Sequence, residues 1–524
     1  RVTGKGYRAR TERVDIMVAM NAQTYRRDMA EVASGGWLIY DSTWPRSKLL
    51  DRDDIHIIGV PLSRLCNEHF DGARARILMK NIAYVGALAA LLEIDLDVIT
   101  TLLEETFAAK KKLVPSNLEA IRLGYDYVRE NYSCPLPIRV EKMDKTRGHI
   151  IIDGNTAAGL GCVYAGATVG AWYPITPSTS LMDAYKAFCK QYRMDEDGRK
   201  RFCIVQAEDE LAAIGVVLGA TWMGARAFTP TSGPGISLMS EFIGFAYYAE
   251  VPAVIFDVQR TGPSTGMPTR TQQCDLMICA YASHGDTAFD LADRLQTPVM
   301  VLSDLDIGMN DWMCPDLEWD ESYRPDRGKV LTPEQFESME KFHRYLDVDG
   351  DGIPYRTLPG EHPKGSYFTR GSGHTKYGAY TEDSAEYQEA VDRLRVKWET
   401  GSKLVPEPEI AWSKFNKNAI LTLGSGDGAV REALDILKDK NVGLNYCRVK
   451  AFPFSDAVTD FIDKHDRVYV VEQNRDGQLR SMLILDAEVE PKKLVSLLHY
   501  DGMPISADFV VQRVLAEVAK GQAA

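Results

Sequence analysis

A threonine held between two prolines, an acidic triplet ahead of a small-residue stretch, and two glycine-rich turns are the residues here whose types and spacing could do chemistry. In Y-P-I-T-P-S, Tyr173 to Ser178, each proline fixes its own φ and pushes Tyr173 and Thr176 out of the helical region, so the Thr176 hydroxyl is held in place. Such a rim at the carboxyl end of a strand is where open α/β sheets bind ligands, although a proline-stiffened connection would read the same way. Glu208-Asp209-Glu210 stands between a strand end and a helix. It either complements the helix dipole or supplies a carboxylate for acid–base work. Thr231-Ser232-Gly233-Pro234-Gly235 can turn backbone amides toward an anion or heteroatom, or serve as a tight turn. After Val258, the stretch Gln259 to Gln273 has no secondary-structure period over about fifteen residues, a length of irregular loop that is usually functional.

The elements that must position these residues follow from periodicity. The chain is 524 residues long, too long for a single core, with 45% hydrophobic and 26% charged residues and no apolar run that reads as a membrane span. A net charge of −13 disfavours a nucleic-acid partner. Nine cysteines without a C-x-x-C pair offer neither a disulfide framework nor a zinc or iron–sulfur ligand set, and are expected as buried thiols in a reducing cytoplasm. The chain opens at Arg1 without a methionine, so a preceding segment is expected.

Residues 1–130 alternate strand and helix: Val14 to Met20, Thr24 to Val32, Trp37 to Asp41, then long helices Ala75 to Leu92, Leu96 to Lys112 and Asn117 to Glu130. Lys110-Lys111-Lys112 is expected to end the second of these helices, where cations suit the dipole. Residues 131–147 read as a linker. From 148 to 310 dense βα alternation predicts a doubly wound parallel sheet: helix 155–169, helix 181–192, strand Phe202 to Gln206, helix 209–223, strand Ala225 to Phe228, helix 235–249 and an apolar strand Ala253 to Val258. Residues 311–405 form an extended polar region, and 406–524 a last, smaller α/β domain.

Two motifs mimic binding sites. Asp347-Val348-Asp349-Gly350-Asp351-Gly352 resembles the start of a calcium loop, but Leu358 stands where the bidentate glutamate belongs, which favours an Asp/Gly turn. Gly424-Ser425-Gly426-Asp427-Gly428 follows a strand but lacks the ribose-binding acid further on, and reads as a strand–helix turn.

Taken in order, Y-P-I-T-P-S, E-D-E, T-S-G-P-G and V-Q-R-T-G-P-S-T-G (Val258 to Gly266) resemble the α subunit of 2-oxoacid:ferredoxin oxidoreductases, most closely the 2-oxoglutarate type with a fused γ domain. The resemblance implies a multidomain α/β fold: a γ-type domain, the pyrimidine-binding domain of thiamine diphosphate enzymes, and a transketolase carboxy-terminal-like domain that includes V-E-Q-N-R-D-G-Q, Val471 to Gln478. It implies oxidative decarboxylation of a 2-oxoacid on thiamine diphosphate, with coenzyme A taking the acyl group and ferredoxin the electrons. By the same resemblance, Glu210 matches the carboxylate that meets the aminopyrimidine ring, with Glu208 as the alternative. Tyr173, Ser232 and Gly233 fall at cofactor-binding positions, and Thr176 and Arg260 match the residues that hold the substrate's carboxylate and keto group. An arginine suits that task because its planar fork binds carboxylates and keeps its charge.

The family's diphosphate motif is missing, since Gly426-Asp427-Gly428 is followed too soon by Asn441 and Asn445, and Gly350-Asp351-Gly352 by no nearby asparagine. The resemblance therefore implies a β subunit that supplies magnesium and a [4Fe–4S] cluster, no metal on this chain, an (αβ)₂ assembly with the active site at the subunit interface, and no nucleic acid or membrane partner. The family's Gly-rich phosphate loop does not precede Gly4-Lys5-Gly6, which leaves coenzyme A contacts unassigned, and the crossover at Thr287-Ala288 is shorter than the family's.

Overall fold

The computed structural model describes residues 1–21, 23–44, 51–282, 289–413 and 416–523, so the Thr287-Ala288 crossover lies outside the described residues. The chain forms two compact units, residues 1–6 with 11–147 and residues 7–10 with 148–524.

In the first unit, β1 (Val14–Ala19), α1 (Tyr25–Glu31), β2 (Val32–Asp41) and β3 (His56–Val60) build a parallel sheet in the order β1-β2-β3. Then come α2 (Leu62–His69), α3 (Ala73–Leu92), α4 (Leu96–Thr106) and α5 (Val114–Asn131). Among the described residues α3 alone is long and apolar enough to cross a membrane, a property the sequence reading did not expect. Here it packs on α5: a Cβ at Gly86 would run into the Ile121 carbonyl, and one at Gly124 into that of Ala83. The paired glycines bring the two backbones together, and Ala83, Ala87 and Leu91 close into the core with Val128. The lysine expectation fails. Helix α4 stops at Thr106, and Lys110 to Lys112 lie in a 3₁₀ stretch, Ala108–Leu113, in which Lys110 leaves helical geometry.

The second unit begins with a segment not foreseen as a strand, β4 (His149–Asp153), followed by α6 (Gly154–Tyr164), β5 (Val169–Trp172), α7 (Thr179–Tyr192), β6 (Cys203–Gln206), α8 (Glu210–Trp222), β7 (Ala227–Thr231), α9 (Gly233–Tyr248) and β8 (Ala253–Gln259). The chain continues through α10 (Leu276–Ala282), α11 (Phe289–Leu295), β9 (Pro298–Asp304), α12 (Leu305–Met309) and β10 (Asp311–Pro315), the last pairing antiparallel with β4. Helix α6 ends at Tyr164, five residues short of the expected boundary, because Gly166 turns the chain at φ +88° toward β5.

The central sheet is all parallel in the order β6-β5-β7-β8-β9. One face packs Ile214, Val217, Ile236 and Ile243 of α8 and α9. The other packs Leu181, Tyr185, Phe228 and Phe289. Burial on both faces accounts for the apolar strands. Strand order reverses at β5, so the crevice between β5 and β7 is the switch point where such sheets bind ligands. The pairing there is short: only Val169 and Gly170 meet Ala227 and Phe228. Strand β7 then runs on to Thr231, three residues past the expected end, paired to β8 alone. Pro230 is tolerated because it lies beyond the β5 ladder.

Residues 316–405 contribute α13 (Pro333–Ser338) and α14 (Ser384–Ser402). The last portion has β11 (Glu409–Ala411), β12 (Asn418–Leu423), α15 (Gly426–Asp439), β13 (Asn445–Val449), α16 (Asp456–Asp463), β14 (Arg467–Glu472), α17 (Gln478–Leu485), β15 (Leu494–Leu498) and α18 (Ala507–Ala523), in sheet order β11-β13-β12-β14-β15. Its V-E-Q-N-R-D-G-Q segment grips the chain after β8. Gln478 Nε2 donates to the Cys274 carbonyl at 2.8 Å, Gln478 Oε1 accepts from the Met277 amide, and the Gln473 carbonyl accepts from the Gln273 amide.

Candidate active site

Four adjacent strands present the sequence motifs at one edge of the central sheet. Thr176 follows β5, Glu208 to Glu210 follow β6, Ser232 and Gly233 follow β7, and Arg260 follows β8. The acidic triplet is divided by burial. Glu208 is exposed, Asp209 caps α8 by accepting from the Ala212 amide at 2.6 Å, and Glu210 is 5% exposed. Asp209 meets the helix-start requirement, which leaves Glu210 without that duty. Glu210 is inside because residue 235 has no side chain: a Cβ at Gly235 would collide with Thr231 Oγ1 and stand 2.9 Å from Glu210 Cγ.

Ser232 precedes α9 without capping it, and its buried hydroxyl has no partner. A buried unmatched hydroxyl costs free energy unless a ligand meets it. Gly233 is equally tight, since a Cβ there would strike the Asp275 carboxyl. Tyr173, 40% exposed, and the exposed Thr176 form the rim. Arg260 is buried. Its Nη1 donates to the Thr176 carbonyl at 2.7 Å, and its Nε is buried without a partner. One arm of the fork is thus committed to the loop it was expected to cooperate with.

Sequence reasoning missed three residues here. Asp257 interrupts the strand read as apolar and is fully buried. Burial, then the Asp275 charge, pushes its carboxyl well above the usual range. Burial raises Asp275 to about 6, against the opposing pull of Cys274 and Arg260. The third is Asn155, in the first turn of α6, which donates to the Pro177 carbonyl at 2.9 Å and to Ser180 Oγ at 2.8 Å. A signal existed: Asp153 already caps α6, at 2.8 Å from the Thr156 amide, so a carboxamide beside it among glycines and alanines had another use.

The look-alike motifs are accounted for. Asp427 accepts from Arg431 Nε at 2.8 Å and from the Tyr446 hydroxyl. Asp347 accepts from the amides of Asp349, Gly350 and Gly352, while the Lys329 ammonium lies 2.7 Å from Asp349, 2.8 Å from Asp351 and 2.9 Å from the Ile353 carbonyl.

A buried carboxylate, an unmatched hydroxyl and a helix amino terminus around one crevice fit the aminopyrimidine half of thiamine diphosphate, which presents ring nitrogens and an amino group. Residues 160–287 match the family described as pyruvate flavodoxin/ferredoxin oxidoreductase, thiamine diP-bdg, and residues 1–127 match pyruvate ferredoxin/flavodoxin oxidoreductase. The class is therefore an oxidoreductase with a thiamine diphosphate-binding domain.

Among curated relatives, 2-oxoacid:ferredoxin oxidoreductase 2, subunit alpha, of Aeropyrum pernix is 30% identical over 87% of this chain and 75% of its own length. The 2-oxoglutarate synthase subunit KorA of Archaeoglobus fulgidus is 31% identical over 71% of this chain and 99% of its own. A solved structure, the 2-oxoglutarate:ferredoxin oxidoreductase from Magnetococcus marinus with 2-oxoglutarate, coenzyme A and succinyl-CoA bound, superposes with a TM-score of 0.86 at 26% identity, covering 97% of this chain and 89% of that one. The chain belongs to the α subunits of the 2-oxoacid:ferredoxin oxidoreductases.

Proposed function

We propose that this chain is the γ/α-fused subunit of a 2-oxoglutarate:ferredoxin oxidoreductase. The reaction joins 2-oxoglutarate and coenzyme A to give succinyl-CoA and CO₂, with two electrons passed to ferredoxin, or runs in reverse. Support for the site comes above all from one observation: of three consecutive acids only Glu210 is buried, packed against Gly235 at the start of α9 where β7 ends. Support for the substrate comes from the 2-oxoglutarate relatives, KorA and the Magnetococcus marinus enzyme.

Thiamine diphosphate, when bound, supplies the carbon nucleophile and electron sink for decarboxylation. Glu210 holds and exchanges a proton at the aminopyrimidine ring, and Tyr173, Ser232 and Gly233 line that half of the cofactor. Thr176 donates its hydroxyl to the 2-oxoacid, and the free arm of Arg260 binds the carboxylate or keto oxygen. A β subunit completes the site, holds magnesium and a [4Fe–4S] cluster, and pairs with this chain as (αβ)₂. The exposed rim of Tyr173 and Thr176 faces that partner.

The test is dye reduction by the co-purified αβ complex. The expected result is a higher kcat/KM for 2-oxoglutarate than for pyruvate, with Glu210→Gln losing about 10²- to 10⁴-fold in kcat while the complex stays assembled. Preference for pyruvate would overturn the substrate assignment, and an active Glu210→Gln the site.

A further inference from the structure

We infer that Asn155 is a positioning residue for the 2-oxoacid, acting through Thr176. The amides of Ser178 and Thr179 both turn back to the Ile175 carbonyl at 2.9 and 3.2 Å, and Pro177 has no N–H, so none of these groups ties down the next two carbonyls, those of Thr176 and Pro177. Side chains from two distant elements do so. Arg260 Nη1 takes the Thr176 carbonyl, and Asn155 Nδ2, 2% exposed, takes the Pro177 carbonyl at 2.9 Å. A carbonyl can only accept, so the amide nitrogen of Asn155 must face Pro177 and its oxygen the other way.

That oxygen lies against Gly308 of α12, where a Cβ would stand 2.8 Å from Oδ1. Gly154 lets α6 come equally close, since a Cβ there would strike the Ile307 carbonyl. Asn155 is therefore wedged between α12 below and the proline loop above, with its second donation to Ser180 Oγ tying in the head of α7. The exposed Thr176 hydroxyl inherits its position from these two pinned carbonyls. Arg260 holds the loop and is placed to meet the substrate, whereas Asn155 acts on the substrate only through the loop it ties to α7 and α12.

This inference rests on Thr176 as a substrate contact, and the experiment separates the two. In the αβ complex, Asn155→Ala, Gly308→Ala and Thr176→Val are compared for kcat, KM for 2-oxoglutarate and thiamine diphosphate affinity by calorimetric titration. Asn155→Ala is expected to raise the 2-oxoglutarate KM roughly 10- to 100-fold, as a misplaced contact does, with cofactor affinity unchanged. Gly308→Ala, which displaces the carboxamide without deleting it, should move KM the same way and keeps the test alive if Asn155→Ala does not assemble. A normal KM in both, or a parallel loss of cofactor affinity, would overturn the positioning role. A normal KM in Thr176→Val would instead overturn the substrate assignment beneath it.

Discussion

Asp275 shows how much of this site depends on residues set behind its lining. Its half-buried carboxyl presses on Gly233 near the fully buried Asp257, and burial lifts its pKa to about 6 from an ordinary 3.8. A carboxyl whose folded pKa is raised favours the folded state when protonated. Its contribution is therefore full below the unfolded value and declines as pH rises toward and through about 6. Asp275→Asn is expected to remove that slope, so the variant should gain stability over the parent on going from about pH 4 to about pH 7.5 in denaturant unfolding. An unchanged slope would rule out Asp275 as its source. Thr176 stood out in the sequence because two prolines flank it, whereas Glu210 and Arg260 were singled out as candidates only by the family resemblance. Asp257 was not, because one acid in a run of Val, Ile and Phe is outvoted by its neighbours when a strand is read by period. Asn155 was not, because its partner carbonyl is brought near only by the fold.

At the scale of elements, the crevice comes from how far β5 and β7 stay paired, and the glycines decide what can enter. Gly235→Ala is expected to drive a methyl into Thr231 and displace Glu210, with activity falling about 100-fold and stability by about 1–3 kcal/mol. Gly161→Ala is the control: it sits within α6 with open space around its Cβ position and should stabilise by about 0.5–1 kcal/mol in thermal unfolding. Equal effects of the two changes would mean that close approach at Gly235 is not what matters. The βα alternation around the crevice was legible because its helices and strands each carry a local period. Pairing of β4 with β10 was not: His149–Asp153 meets Asp311–Pro315 with the whole central sheet in between, and no local pattern encodes such a partner. The end of β7 was hidden for a related reason, since Pro230 argues against a strand until the ladder on one side is known to stop.

Across the larger unit, buried charge fastens residues 316–405 to the central sheet. Glu250, 1% exposed, takes Arg393 at 2.5 Å and Lys397 at 2.9 Å, both on α14, while Arg344 donates to its carbonyl. Burial disfavours the Glu250 charge, but Arg393, Lys397 and Arg344 outweigh it and hold the carboxyl at about 2. A depressed carboxyl stabilises fully above its unfolded value of 4.5, and that contribution is lost as pH falls toward about 2. Thermal unfolding should show this acid-side loss in the parent. Glu250→Gln should lack it and be less stable at neutral pH by about 3–5 kcal/mol, the usual cost of stranding buried cations. A variant as stable as the parent at neutral pH would remove Glu250 as the fastener. The region looked like polar filler in the sequence because its charges have partners in another segment, and composition alone cannot say which charges are matched.

The loop from Asp347 to Asp351 belongs to that region, and its balancing cation is the Lys329 ammonium. A dissolved ion holds such a loop only in proportion to its free concentration, and a competitor can strip it away. An ammonium carried on the same chain has an effective concentration set by its tether, so this turn is always provisioned with its counter-charge, whatever the mineral content of the surroundings.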